Sequence, residues 1–318
     1  MTEAITFEGV PVSSLALPLL RACIDAAVAA SAWTGRGDKH AADHAAVEAM
    51  RATLGTVPGR GEVVIGEGEK DQAPMLFAGE AIGTGAGPGF ALAVDPLEGT
   101  SLCARGAPGA VTVLAAAPMD SLAVPPGFYM DKLVVGASAK GVADIDAPVE
   151  DNLRAVAQAL GRPIGELRVA ILAKPRHVEL IGRVRDAGAK VIEIPDGDVM
   201  TGLATLVPAW GVDLALGIGG APEGVITACA ARLLGGDMQA RLAPQSDQER
   251  EDAERQGGLH RRYDLLDLCP SSDVVFAASA VTGSEYLAGV ISSGEGVFDV
   301  SSLLITARNG VMRVVAPA

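Results

Sequence analysis

Large rings are scarce in this 318-residue chain: Phe, Tyr and Trp together make up 3 % of it. Hydrophobic residues nonetheless reach 49 %, so the core must be assembled from Ala, Val, Leu and Ile. Positive charge is also short. Lys and Arg number 25 against 39 Asp and Glu, a net charge of −14, and nucleic-acid binding, which needs a basic face, is not expected. The four cysteines, Cys23, Cys103, Cys229 and Cys269, form no CxxC pair and lie among Ala, Leu and Val. They read as buried free thiols rather than as a disulfide framework or a zinc site. The four histidines, His40, His44, His177 and His260, have no zinc-like spacing and read as surface residues or supports of a site. A signal peptide needs a basic leader, and here Glu3 and Glu8 stand in front of the apolar LALPLL run at 15–20, which Asp25 then interrupts. A cytoplasmic protein with no membrane partner is expected.

What is abundant is glycine and acid, and they occur together. Residues 93–101 run Ala-Val-Asp-Pro-Leu-Glu-Gly-Thr-Ser. An apolar run meets Asp95, and Pro96, with no N–H for a ladder, stops the strand. The turn then brings Asp95, Glu98 and Thr100 into one small volume. Two carboxylates that close repel unless a cation lies between them, and oxygen donors of this kind suit Mg²⁺ or Mn²⁺. An acidic surface turn after a strand is the plain alternative. A second unit of the same design stands against it: Val63-Val64-Ile65-Gly66-Glu67-Gly68-Glu69-Lys70-Asp71.

Length allows one large α/β domain or two lobes. Apolar spacing predicts a helix over 17–33 and a second, opened by Asp43, over 43–54, with Asp43 as cap or first-turn acid unless it serves a ligand. The Gly35-Arg36-Gly37-Asp38 loop holds an RGD triplet for which no adhesion role is expected. Strands are predicted at 62–66, 75–82 and 90–95, with the glycine run 83–89 as a hairpin loop between two of them, and further antiparallel strands near 111–116 and 132–136. From 150 onward the rhythm changes to α/β alternation: helix 150–160, strand 168–172, helix 176–187, strand 190–194, helix 198–207, strand 212–217, helix 223–234. Residues 245–262 read as a solvated helix or arm, and strands at 273–277, 301–306 and 311–315 close the chain. No internal repeat is evident. The expected division is an N-terminal α+β lobe, 1–155, and a C-terminal α/β lobe, 156–318, joined near 145–165.

Lys174, Pro175, Arg176 and His177 follow a strand and open a helix, so Arg176 could fork onto a phosphate with the helix terminus adding its field. Asp196 and Asp198 suit sugar hydroxyls, or form an acidic helix cap. Gly217-Ile218-Gly219-Gly220-Ala221-Pro222 mimics part of a dinucleotide fingerprint, with Asp237 twenty residues on. Pro222 occupies the third glycine position and no second strand precedes Asp237, so a nucleotide-dependent dehydrogenase is not expected.

The VDPLEGT segment resembles the DPxDGT signature of the lithium-sensitive, metal-dependent sugar and inositol phosphatases. More closely, GRGDKHAAD (35–43), VIGEGEKDQAPML (64–76), VDPLEGTSL (94–102), YMDKLVVG (129–136), ILAKPRH (171–177), IPDGDV (194–199) and GIGGAPEGV (217–225) resemble, in family order, the GlpX-type class II fructose-1,6-bisphosphatases. Gln72, Glu98 and His40 depart from the expected pattern. The resemblance implies a layered αβαβα sugar-phosphatase fold and hydrolysis of the 1-phosphate of fructose 1,6-bisphosphate, in gluconeogenesis or the Calvin cycle. It also implies two or more Mg²⁺ or Mn²⁺ ions and a homo-oligomer of two or four copies. It assigns Asp43 and Glu67 to one ion and Asp95, Glu98 and Glu223 to another, with the Leu97 carbonyl as an extra ligand. Thr100 and Asp71 would orient and deprotonate the attacking water, with Lys39 nearby. Glu98, Gly99, Thr100, Tyr129, Lys174, Pro175, Arg176, Asp196, Gly197, Asp198 and Gly220 would contact the substrate. Dual action on sedoheptulose 1,7-bisphosphate and an inositol-phosphatase-like activity are the alternatives within the class. A catalytically inactive sugar-phosphate binder would have lost some of these carboxylates.

Overall fold

Leu19, Ala22, Cys23, Ala26, Ala27 and Ala30 recur at three- and four-residue spacing and are fully buried. They make one face of helix α1, Ala16–Ser31, which packs against α2, Lys39–Leu54, whose Ala42, Ala46 and Met50 are likewise buried. Small side chains on both helices let the backbones approach closely. The computed structural model describes residues 10–67, 75–294 and 296–317. It groups the chain into two units, Met1–Leu122 with Ser271–Ala318, and Ala123–Pro270.

In the first unit, α1 and α2 are followed by strands β1 (Arg60–Ile65), β2 (Ala81–Ile82) and β3 (Gly89–Glu98), the short helix α3 (Thr100–Arg105) and strand β4 (Val111–Ala117). The chain leaves for the second unit through β5 (Tyr129–Val135), α4 (Val149–Leu160), β6 (Arg168–Leu172), α5 (Val178–Asp186), β7 (Lys190–Ile194), α6 (Asp198–Leu206), β8 (Leu214–Gly220), α7 (Ala221–Leu234), β9 (Asp237–Leu242), α8 (Asp247–Arg255), β10 (Arg262–Asp264) and α9 (Leu265–Leu268). It returns with β11 (Val275–Ala280), β12 (Ile291–Gly294), β13 (Val297–Thr306) and β14 (Gly310–Pro317). The first unit's sheet has the order β12-β13-β11-β4-β3-β1-β2, with β14 on β13. Only its β1–β3 pair is parallel among the described strands. The second unit's sheet runs β10-β9-β5-β8-β6-β7, with β6 parallel to both β7 and β8. The whole is the mixed α/β class expected.

The core confirms the aromatic shortage. Around α1 it holds Leu92, Leu114, Ala277 and Leu304, with Phe90 as its large ring. Val12–Ser31 is long and apolar enough to cross a membrane by length and composition, with mean hydropathy 1.6, and 56 % of that window is buried within the protein. All four cysteines are buried and free, and the Cys229 and Cys269 thiols hydrogen-bond each other.

Several expectations are corrected. Helix α2 begins at Lys39 because Asp38 caps it, its Oδ1 accepting from the Ala41 N–H at 2.9 Å. Asp43 is therefore inside the helix and caps nothing. The predicted strand 75–82 shrinks to Ala81–Ile82. The glycine run 83–89 is no hairpin, since β2 pairs with β1 and β1 lies between it and β3. β3 continues past Pro96 to Glu98 through an irregularity between Asp95 and Glu98. The predicted helix 176–187 is a 3₁₀ turn, Pro175–His177, followed by α5. The unit division also differs from a cut at 155/156. β5 pairs with β8 and β9, and β11 and β13 join the sheet of β4. Hydrogen bonds across long sequence separations set that division.

Candidate active site

In the first unit three of the expected metal ligands, Glu67, Asp95 and Glu98, occur at the carboxyl ends of two adjacent parallel strands. The β1–β3 register pairs Ile65 with Ala93, so Glu67 and Asp95 each follow by two residues. Glu67 is half-buried and its N–H donates to the Leu76 carbonyl at 2.9 Å. Asp95 is half-buried, and its Oδ1 accepts from the Leu97 N–H at 3.0 Å, a local turn that aims the carboxylate and accommodates Pro96. Glu98 ends the strand and is only 5 % exposed. Gly99 follows in the left-handed region, φ 80°, where only glycine is free of strain. Thr100 is the first residue of α3, half-buried. Asp43 is half-buried on α2, which packs against β3 and α3. Burial raises its carboxyl above the ordinary range, opposed by His40 and His44. Lys39 is exposed at the start of α2. Asp71 lies outside the described residues. Among those described, no three His, Cys, Asp or Glu side chains gather about a single point; Asp43 is on α2, Glu67 follows β1, and Asp95 and Glu98 are both on β3.

In the second unit the site is built at the carboxyl ends of the parallel strands, where an α/β sheet binds ligands. Lys174 and Arg176 follow β6, Asp196 and Asp198 follow β7, and β8 ends at Gly220 with Glu223 three residues on. Antiparallel β5 brings Tyr129 opposite Gly220. The Arg176 guanidinium stacks 5.4 Å from the Tyr129 ring centre, and its Nε and Nη2 donate to the Ile218 carbonyl at 3.1 and 2.9 Å. These contacts hold the exposed Arg176 in place. Lys174 Nζ donates to the Pro195 carbonyl at 2.9 Å and reaches Asp196 Oδ1 at 3.3 Å, so both loops are tied. Gly197, φ 96°, precedes Asp198, the first residue of α6. The Asp198 carboxylate turns to Lys132, so it does more than cap a helix.

Glu223 sits in the first turn of α7 with Oε2 buried and without a hydrogen-bond partner among the described residues. Burial raises its carboxyl, Lys132 opposes that, and Asp198 and Asp196 add to it. A Cβ on Gly220 would stand 1.7 Å from this oxygen, so the glycine is required by the carboxylate.

Lys132 has no site role in the sequence reading, and of the two roles expected for the histidines, surface or support of a site, His177 takes the second. Lys132 shares a strand face with Met130 and Val134, and a charge on that period-two face was the signal available. His177 is 2 % exposed. Its Nδ1 lies 2.7 Å from the Leu172 carbonyl and its Nε2 2.7 Å from the Ile218 amide. A carbonyl only accepts and an N–H only donates, so the ring is neutral with Nδ1–H. It braces the β8 backbone that holds Arg176. Burial lowers its pKa below the usual 6.5, with Arg176 adding to the effect. The folded state thus binds fewer protons than the unfolded chain, and stability present above pH 6.5 is lost as pH falls below it. The melting temperature is expected to drop more steeply from neutral to mildly acidic pH for the wild type than for His177→Gln. Equal slopes in thermal melts would refute this role.

Carboxylates at strand ends in one unit, and in the other an arginine, a lysine and acids at helix starts, are the residue types that a phosphate-ester hydrolase on an α/β scaffold uses. Comparison with known proteins narrows that class. Residues 13–318 match the family described as bacterial fructose-1,6-bisphosphatase, glpX-encoded, and the chain belongs to that family. It is 42 % identical over 314 residues to the class 2 fructose-1,6-bisphosphatase of Haemophilus influenzae, covering 94 % of each chain. Against fructose-1,6-bisphosphatase 1 class 2 of Escherichia coli K12 the identity is 42 % over 313 residues, covering 94 % of this chain and 93 % of the other.

The family is one of metal-dependent phosphatases. The donors present fit a hard divalent cation: they are carboxylates, and the buried, unpartnered Glu223 Oε2 is an oxygen that such an ion would satisfy.

Proposed function

We propose that the chain hydrolyses the 1-phosphate ester of fructose 1,6-bisphosphate to fructose 6-phosphate and phosphate. Two or more Mg²⁺ or Mn²⁺ ions would be held by Asp43, Glu67, Asp95, Glu98 and Glu223. Family membership over nearly the whole chain supports the substrate. The observation that carries the metal reading is the buried Glu223 oxygen left open beside Asp196 and Asp198. When bound, the ions supply Lewis acidity and lower the pKa of the attacking water. Thr100 orients that water and Asp71 takes its proton. Tyr129, Lys174, Pro175 and Arg176 hold the remote phosphate. Asp196, Gly197 and Asp198 receive the sugar hydroxyls, since acids facing a phosphate would repel it. Gly99, the Glu98 backbone and Gly220 allow close approach of the substrate. Lys39 adds positive charge at the start of α2. The reaction would serve gluconeogenesis or the Calvin cycle in the cytoplasm. The enzyme would be an oligomer of two or four copies, and its charge of −14 offers nucleic acid no basic face.

A panel of esters at equal concentration tests the substrate: fructose 1,6-bisphosphate, sedoheptulose 1,7-bisphosphate, fructose 1-phosphate and inositol monophosphate. Fructose 1,6-bisphosphate is expected to give the highest kcat/KM, and preference for the inositol ester would overturn the reading. Arg176→Ala is expected to raise KM for the bisphosphate about ten- to a hundredfold, the contribution of a charge-assisted fork, with kcat little changed. Fructose 1-phosphate, lacking the remote group, should be nearly indifferent to the change. Equal losses on both esters would place Arg176 at the reacting phosphate instead.

A further inference from the structure

Lys132 carries a charge in a strand that is otherwise mostly apolar. Its side chain is 6 % exposed, and its face neighbours Met130 and Val134 are buried. A buried ammonium persists only where anions and acceptors replace its water. Lys132 finds them on two other segments. Nζ donates to the Asp198 carboxylate at the start of α6, and to the Gly220 carbonyl at the end of β8 at 2.7 Å. Glu223, three residues beyond Gly220, lies close enough to feel the same charge. The backbone makes room for this arrangement. A Cβ on Gly219 would stand 2.0 Å from Asp198 Oδ2, so the glycine vacates the space that the carboxylate fills. Thr201 Oγ1 donates to the Gly197 carbonyl and closes the same turn from within α6.

Stability alone is a poor reason for such a group. Replacing a buried ion pair with apolar residues of similar volume is often neutral or stabilising, whereas the pair fixes geometry. We propose that Lys132 is a positioning residue for the sugar end of the site: it ties the start of α6 to the end of β8 and so presents Asp198 to the substrate hydroxyls without touching the substrate. The proposal rests on the reading of Asp198 as a sugar-binding residue.

Lys132→Met keeps the length of the side chain and removes the charge. With saturating metal, KM for fructose 1,6-bisphosphate is expected to rise about tenfold while kcat stays within about threefold, the pattern of lost uniform binding. In an Asp198→Asn background the same substitution should add less than about twofold, because the two residues act as one unit. A lysine that merely supports the fold would lower kcat as much as it raises KM. If Lys132→Met does not fold, Lys132→Gln, which keeps an N–H donor for Gly220, takes its place with a smaller rise in KM. An unchanged KM in the folded variant, or effects that multiply with Asp198→Asn, would each overturn the proposal. Failure of the wild type to hydrolyse the bisphosphate is a separate outcome, which would strike the substrate reading first and this proposal with it.

Discussion

Asp95→Asn is expected to lower phosphate release from fructose 1,6-bisphosphate at least about a hundredfold while leaving the fold intact, as loss of a ligand charge from a metal-dependent hydrolase should. The size of the effect follows from what Asp95 does locally. Its Oδ1 accepts one bond from the Leu97 N–H, and an asparagine oxygen can still accept it. The turn at Pro96 therefore survives the substitution, and what disappears is a negative charge at the end of β3. Most of the loss should appear in kcat, and in the metal concentration needed for half-maximal rate. A variant with near-normal turnover would remove Asp95 from the ligand set. A variant that fails to accumulate as folded protein would assign it to the local turn at Pro96.

Glu223→Gln is expected to be as inactive, and its stability should move in the other direction. Burial raises the Glu223 carboxyl pKa, and Asp198 and Asp196 press it the same way, with Lys132 opposing. A hydrogen bond from the Glu223 backbone opposes the rise as well, yet the acid stays favoured in the folded state and so costs stability at neutral pH, where the unfolded chain carries it ionised. The amide has the same shape and no charge to bury. Metal-free Glu223→Gln should therefore melt higher than the metal-free wild type, and added Mn²⁺ should raise its melting temperature less. Activity close to the wild type, or a lower melting temperature without metal, would contradict the placing of Glu223 as a buried ligand awaiting a cation.

The parts of the fold legible in the sequence are the local ones. Strands 168–172 and 190–194 are found where alternation and flanking turns put them, and helix α4 ends at Gly161 in the left-handed conformation, φ 63°. Each of these depends on residues within a few positions. Pairing does not. The glycine run 83–89 has the composition of a hairpin, yet β1 intervenes between the strands on either side. β5 and β4 look like consecutive members of one run, and they enter different sheets. The capping of α2 was misread because Asp38 and Asp43 are both acids before alanines, and only the bond to Ala41 distinguishes them.

The site divides along the same line. The carboxylates stand out in the sequence because glycine and proline surround them, and the family blocks carry their roles. Arg176 and the Asp196–Asp198 turn are visible at the ends of strands in an alternating pattern. Lys132 is different. It sits mid-strand, and its partners Asp198 and Gly220 are 66 and 88 residues away in sequence. His177 likewise braces Ile218 across 41 residues. No local pattern reports contacts of that kind.

The central claim is metal-dependent hydrolysis of a sugar bisphosphate, and it is tested most directly on protein stripped of metal by a chelator and then freed of the chelator. Phosphate release from fructose 1,6-bisphosphate is followed before and after Mn²⁺ or Mg²⁺ is restored. The account predicts no turnover above background in the stripped protein and recovery of the full rate on adding either one ion or both. Undiminished turnover in the stripped protein, with excess chelator present throughout, would contradict it.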